Sequence, residues 1–270
     1  MRRIIAVDLD GTLLSSKNTI TEYTKEIIQL LAKKNIFFIL ASGRHHVDII
    51  EIRDILKIRS FIIASNGAKI YDLDNQLIFS DCLDKEIASQ LCKIKYLEKD
   101  IITQVYKKNR WFVNNNKVNN KFCSALSSLQ YEYFTPDKFA FDNICKIFFT
   151  SNNFEKLYIL EKKIIDIWGE KVNISFSVPG CLEVVSGKTS KGHGVRLISH
   201  LLGIPLDSCI AFGDGMNDLD MLTISGQAYI MKNADSCLKN ALPNIEIIDS
   251  NNNNGVAKRL DEIFIKHKKI

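Results

Sequence analysis

Ile4-Ile5-Ala6-Val7-Asp8-Leu9-Asp10-Gly11-Thr12 lies near the start of the chain. Ile4 to Val7 form an apolar run without polar alternation, the pattern of a strand buried on both faces of a parallel sheet. The run ends abruptly in two acids, a glycine and a hydroxyl. Ligands bind at the carboxyl edge of open α/β sheets, because the connections leave a crevice there and helix N-termini point into it. Two acids with one residue between them share a face of an extended chain, and Gly11 permits the chain to turn directly after them.

The same grammar recurs downstream. Thr21 caps a helix over residues 21–34, with Thr24, Ile27, Ile28 and Leu31 on its inner face. A second buried strand, 36–40, runs into Ala41-Ser42-Gly43-Arg44. A helix over 46–56 and a third strand, 61–64, follow, ending in Ser65-Asn66-Gly67. Thr189-Ser190-Lys191-Gly192 opens a capped helix that carries Val195, Ile198 and Leu202 inward and closes at Gly203. A fourth buried strand, 208–212, ends in Gly213-Asp214-Gly215-Met216-Asn217-Asp218. Short strands at 228–231 and 245–248, a polar loop from Asn251 to Asn254 and a helix over 256–266 close the chain.

Between these halves the pattern changes. A helix over 84–99, a hairpin of strands 101–107 and 111–114 turning at Lys108-Asn109, and a helix over 118–129 precede a strand at 144–150. A helix over 154–168 and strands 172–178 and 181–186 complete a compact α+β unit. The expected architecture is α/β: a doubly wound, parallel, Rossmann-like core from residues 1–82 and 190–270, with an α+β cap inserted over 83–189. One large mixed sheet is the alternative.

Composition bounds the partners. The 270 residues leave room for two domains, and 46% hydrophobic with 25% charged residues is ordinary for a globular protein. No apolar run approaches the roughly 18 residues of a membrane span, and Arg2-Arg3 lead directly into a strand ending in acids, unlike a signal peptide. The seven cysteines form no C-x-x-C pair and are odd in number, which fits free thiols in a reducing, cytoplasmic setting. The net charge of +5 is spread along helix faces and forms no basic run longer than Lys266-His267-Lys268-Lys269. That pattern speaks against nucleic acid and suits a small phosphorylated metabolite. A monomer or weak homodimer is expected.

The strand ends gather Asp8, Asp10, Ser42, Lys191, Asp214 and Asn217 on one edge if the winding is as read. Several carboxylates in reach of one another do not all stay ionised without a cation. Oxygen ligands without nearby His or Cys point to Mg²⁺ over zinc. An acid-flanked metal beside a lysine and backbone amides is a phosphate site. On that reading Asp8 is the nucleophile and Asp10 exchanges protons with the leaving oxygen and then with water. Asp8, the Asp10 carbonyl and Asp214 hold the metal. Ser42, the Leu9 and Gly43 amides, Lys191 and Asn217 bind phosphate, Thr12 supports the loop, and Asp218 supports the metal through water.

Asp8-Leu9-Asp10-Gly11-Thr12, Ser42-Gly43-Arg44, Lys191-Gly192 and Gly213-Asp214-Gly215-Met216-Asn217-Asp218 stand in the order of the four motifs of the haloacid dehalogenase-like phosphatases, which the chain therefore resembles. The long insertion between the second and third motifs resembles the cap of the Cof-type branch. Ser65-Asn66-Gly67-Ala68, Cys181-Leu182-Glu183-Val184 and Ser190-Lys191-Gly192-His193 are similar to the pyridoxal phosphate phosphatases of that branch. The resemblance implies a Mg²⁺-dependent phosphomonoesterase acting on pyridoxal 5′-phosphate or sugar phosphates. Ser42 stands where that family commonly has threonine. A phosphomutase of the same superfamily shares every motif, and a phosphoryl-storing signalling module shares the aspartate, metal, hydroxyl and lysine. The signalling module has no use for a second acid two residues on, nor for a cap. Outside the motifs, His45 and His46 line a helix start or contact substrate, and Asn66 is a turn residue or faces the site. Tyr106, Trp111 and Phe112 pack the cap or stack a pyridine ring, and Glu183 is a rim charge or a substrate ligand.

Overall fold

The computed structural model describes residues 3–94, 100–115, 127, 129–178 and 180–266. Fourteen strands and eight helices follow one another in this order: β1 (Arg3–Asp8), α1 (Glu22–Ala32), β2 (Ile36–Ala41), α2 (His46–Leu56), β3 (Ser60–Ala64), β4 (Lys69–Tyr71), β5 (Leu77–Ser80) and α3 (Lys85–Lys93) among the described residues. Next come β6 (Ile102–Lys107), β7 (Arg110–Val113), β8 (Tyr131–Tyr133), β9 (Ile144–Thr150), α4 (Phe154–Trp168), β10 (Val172–Val178) and β11 (Cys181–Ser186). The chain ends with α5 (Lys191–Leu202), β12 (Cys209–Gly213), α6 (Leu219–Ile224), β13 (Gln227–Met231), α7 (Ser236–Ala241), β14 (Glu246–Ile248) and α8 (Gly255–Phe264).

The strands form an eight-stranded sheet, ordered β14-β13-β12-β1-β2-β3-β4-β5, and a six-stranded sheet, ordered β10-β11-β9-β6-β7-β8. In the larger sheet β1 is central and pairs in parallel with both β12 and β2. Its side chains alternate between two apolar layers. Ile5 and Val7 pack with Ile28 and Leu31 of α1, Ile49 of α2 and Leu260 of α8. Ile4 and Ala6 pack with Val195 and Ile198 of α5 and Met221 of α6 on the other side. Helices on both faces explain why β1 reads as an unbroken apolar run. The sheet is not parallel throughout: β4 and β5 are antiparallel at its edge. Lys69-Ile70-Tyr71 is too short to carry a period, so this hairpin escapes pattern reading.

The six-stranded sheet runs from residue 102 to 186, between β5 and α5 in the chain. One face packs on α3 and α4 through Ile87, Leu91, Leu157, Leu160 and Ile164. The other face bears Tyr106, Trp111, Cys145, Phe148, Cys181 and Val185, and these meet Ala68 of the first unit. Strand β8, parallel to β7, is a further element not expected from the sequence. The helix expected over 118–129 falls almost wholly outside the described residues, as does the end of the helix expected over 84–99. Cys82, Cys92, Cys145, Cys181, Cys209 and Cys237 form no disulfide with one another, and no helix among the described residues is long and apolar enough to cross a membrane.

Candidate active site

Asp8 ends β1, and the chain then turns tightly: the Leu13 N–H donates to the Asp8 carbonyl and the Thr12 and Leu14 N–H groups donate to that of Leu9. Gly11 has φ +80°, and a Cβ there would stand 2.1 Å from Asp214 Oδ2. No other residue admits both the backbone conformation and that approach. The turn also lets the Thr12 hydroxyl donate to Asp214 Oδ1 at 2.7 Å.

Lys191 arrives from the first turn of α5, which Ser190 caps by accepting the His193 N–H at 2.9 Å. Its buried ammonium donates to Asp8 Oδ1 at 2.6 Å and to Asp218 Oδ1 at 2.7 Å. Asp218 Oδ2 accepts the Asp214 and Gly215 N–H groups, each at 3.0 Å. Asp218 therefore braces the loop after β12 and holds Lys191. Asp8, Asp214 and Asp218 each place an oxygen within 4.8 Å of the others.

Two buried acids, Asp8 and Asp218, share one ammonium, and half-buried Asp214 stands beside them. Burial raises the Asp8 carboxyl well above the usual range against the pull of Lys191, and Asp218, Asp214 and Asp10 push the same way as burial. Burial and Asp218 push Asp214 up to about 7, although Thr12 and Lys191 oppose them. For Lys191, burial works against the charge, yet Asp218 and Asp8 outweigh it and the net direction is up.

The other expected residues are placed unevenly. Ser42 follows β2; its N–H donates to the Ile63 carbonyl at 2.8 Å, and its hydroxyl accepts the Arg44 N–H at 3.1 Å. The carbonyl of Gly43 accepts from Lys146 Nζ at 2.5 Å. Leu9 buries its side chain in the core. Asn217 donates to Asn66 Oδ1 at 3.2 Å. The Asp10 carboxylate is not part of the acidic cluster: Arg44 grips both its oxygens, Nε to Oδ2 at 2.7 Å and a terminal nitrogen to Oδ1 at 2.6 Å. Acting on a leaving group thus requires Asp10 to exchange this partner for substrate.

A cavity of about 190 Å³ opens over these groups, bounded below by Asp8, Asp10, Ser42, Arg44, Asp214 and Asn217. Its upper side is the second sheet, with Tyr106, Trp111, Lys146, Phe148 and Glu183 facing in. These positions share one face of β6, β7, β9 and β11, the face opposite α3 and α4. Tyr106 and Trp111 are both packed and cavity-lining. Glu183 is buried and not a rim charge. Lys146 and Asp48 escape sequence reading, and Arg44 enters it only within the Ser42-Gly43-Arg44 motif, without a role; a lysine among the aromatics of β9 is the one further signal. His45 and His46 sit at the start of α2; His45 meets the second sheet, whereas His46 stacks on Tyr71 of the first. His45 Nε2 and Lys69 Nζ both contact the Lys108 carbonyl, at 3.3 and 2.7 Å. Burial lowers His45 to about 3 and His46 to about 4.

A profile described as haloacid dehalogenase-like hydrolase matches residues 5–260. A relative from Buchnera aphidicola subsp. Acyrthosiphon pisum, provisionally named a phosphatase, is 64% identical over 100% of this chain and 99% of its own. An Escherichia coli K12 protein named HMP-PP phosphatase is 28% identical, covering 96% of this chain and 95% of its own. A solved haloacid dehalogenase-like hydrolase from B. subtilis superposes with a TM-score of 0.85 at 25% identity, over 97% of this chain and 100% of that one.

Proposed function

Because the chain belongs to the haloacid dehalogenase-like hydrolases, we propose that it is a phosphatase, a Mg²⁺-dependent phosphomonoesterase working through an aspartyl-phosphate on Asp8. The observation that carries this reading is the meeting of Asp8, Asp214 and Lys191 beneath one cavity, from strand ends and a helix start far apart in the chain. The acids fit a divalent cation: the donors are all oxygen, and the upward push on Asp214 is the strain that positive charge relieves. Asp8 and Asp214, with the Asp10 carbonyl, are the proposed holders. Mg²⁺ bound there offsets the charge of the phosphoryl oxygens.

The chain's own residues do the rest. Asp8 attacks phosphorus as the bond to the leaving oxygen breaks, and Asp10 supplies the proton that oxygen needs. Water then attacks phosphorus, Asp10 takes its proton, and phosphate and Asp8 are released. Lys191 orients Asp8 and balances its charge. The Ser42 hydroxyl, the Leu9 and Gly43 amides and the Asn217 side chain donate to phosphate oxygens.

The second sheet, with its helices, acts as the cap and encloses the leaving group. Tyr106, Trp111 and Phe148 give the cavity flat apolar surfaces, which suit pyridoxal 5′-phosphate, while Asp48 and Glu183 suit polar substituents such as those of a sugar phosphate. The working form is a cytosolic monomer or weak homodimer acting on a small metabolite. A phosphate-release panel with and without Mg²⁺ tests the proposal, comparing pyridoxal 5′-phosphate, flavin mononucleotide, hexose phosphates and HMP-PP. The expected result is Mg²⁺-dependent release, fastest from the pyridoxal ester. No release from any donor with Mg²⁺ present would overturn it.

A further inference from the structure

A buried ion pair on the cavity side of the second sheet reaches into the first unit. Lys146 Nζ donates to Glu183 Oε1 at 2.9 Å and to the Gly43 carbonyl at 2.5 Å, and it lies over the rings of Phe148 and Tyr106 at 4.6 and 4.9 Å. Glu183 Oε1 also accepts from the Ser177 hydroxyl at 3.0 Å, while Oε2 accepts from Asn66 Nδ2 at 2.5 Å. Asn66 in turn accepts from Asn217. A Cβ on Gly43 would stand 2.6 Å from Glu183 Oε2, so glycine is what lets the carboxylate come this close.

One ion pair thus holds both segments that carry the proposed phosphate donors, Gly43 directly and Asn217 through Asn66. Removing two charges from water is offset only when further hydrogen bonds satisfy them, and here Gly43 and Asn66, both in the first unit, supply those bonds. Both members of the pair belong to the second sheet, so these satisfying bonds form only while that sheet is seated. We propose that Lys146 is a positioning residue that couples seating of this sheet to the geometry of the phosphate-binding loops, an inference that rests on the phosphatase reading. Binding of a phosphoryl group that orders the Gly43 loop favours seating, and seating prepares the loop for the phosphoryl group.

Three variants separate this from packing and from direct substrate binding. Lys146→Met keeps the stem and drops the ammonium, Lys146→Arg keeps a donor, and Lys163→Met removes an exposed charge on α4 as a control. Hydrogen exchange at the Arg44 and Asn66 amides, which donate to the Ser42 hydroxyl and carbonyl, reads loop order without catalysis. In Lys146→Met these amides are expected to exchange about tenfold faster, while protection in β1 and β12 is unchanged. With Mg²⁺, kcat falls by a similar factor, about tenfold or more, on both acetyl phosphate and pyridoxal 5′-phosphate, with KM little moved. Lys146→Arg recovers most of both effects, and Lys163→Met shows neither. Unchanged exchange, faster exchange throughout the chain, or a kinetic loss confined to the pyridoxal ester would each overturn the proposal. A wild-type chain inactive on both donors would count against the phosphatase reading alone, because the exchange comparison still decides the part played by Lys146.

Discussion

Replacing Asp214 with asparagine should stabilise the metal-free protein at alkaline pH. Asp214 is pushed up to about 7 in the folded chain from an ordinary value of 3.8. A carboxyl raised on folding stabilises the fold below its unfolded value, and that contribution is lost as the pH climbs through the folded one. Between about pH 5.5 and pH 8.5 the unfolded carboxyl is ionised throughout, whereas the folded one passes from mostly protonated to ionised, at a cost of about 2 kcal/mol. Asparagine is neutral at every pH and still offers Thr12 an amide oxygen in place of Asp214 Oδ1. In EDTA, the stability of Asp214→Asn relative to wild type should therefore rise by about 2 kcal/mol over that range, or about 4–8 °C in Tm. Asp8, raised chiefly by burial and further by the charge of Asp214, is relieved of that charge in the variant and adds in the same direction. Taking the difference cancels the histidines, which titrate alike in both proteins. Urea unfolding at the two pH values is the assay, and millimolar Mg²⁺ should stabilise wild type at pH about 8.5 and leave the variant unmoved. A difference independent of pH, or one that grows toward acid, would refute the reasoning.

Lys191→Met strands Asp8 and Asp218 without their shared ammonium and should cost about 3–5 kcal/mol in urea unfolding at neutral pH. Turnover should fall about 100-fold or more, and an equally stable variant would show that the cluster is neutralised some other way. For His45 and His46, lowered to about 3 and about 4, the stability contribution is complete above the ordinary value of 6.5 and is lost as the pH falls from there toward 4. His46→Gln should flatten that acid limb, and an identical slope would contradict the assignment. Trp111→Ala should raise KM for pyridoxal 5′-phosphate about five- to tenfold and leave acetyl phosphate kinetics unchanged. Equal effects on both donors would place Trp111 in the packing alone.

The parts of the molecule legible beforehand are those where one local rule governs. Buried parallel strands announce themselves as apolar runs, which is why β1, β2, β3 and β12 and the residues at their ends were readable. Asp8 and Asp214 converge because parallel strands deliver their carboxyl ends to one edge, where the start of α5 brings Lys191. Long-range partnerships carry no such mark. Arg44 on Asp10 and Asp218 on Lys191 join residues far apart in sequence, and nothing in the spacing distinguishes a bracing acid from a metal ligand. The four asparagines at 251–254 read as a polar loop, whereas Asn251 binds the Leu14 carbonyl at 2.9 Å and Asn252 the Ser16 N–H at 2.9 Å, tying down the chain after the Asp8 turn. The short edge hairpin β4–β5 and the strand β8 are set by pairing, not by period.

Acid quench after millisecond mixing with substrate and Mg²⁺, borohydride reduction and peptide mass spectrometry tests the central claim most directly. An acyl phosphate on Asp8 is reduced to homoserine, so the account predicts homoserine at position 8 in wild type and none in Asp8→Asn, which keeps its fold but not its turnover. Homoserine at position 10 or 214, or turnover with no trapped acyl phosphate and inversion at phosphorus, would contradict it.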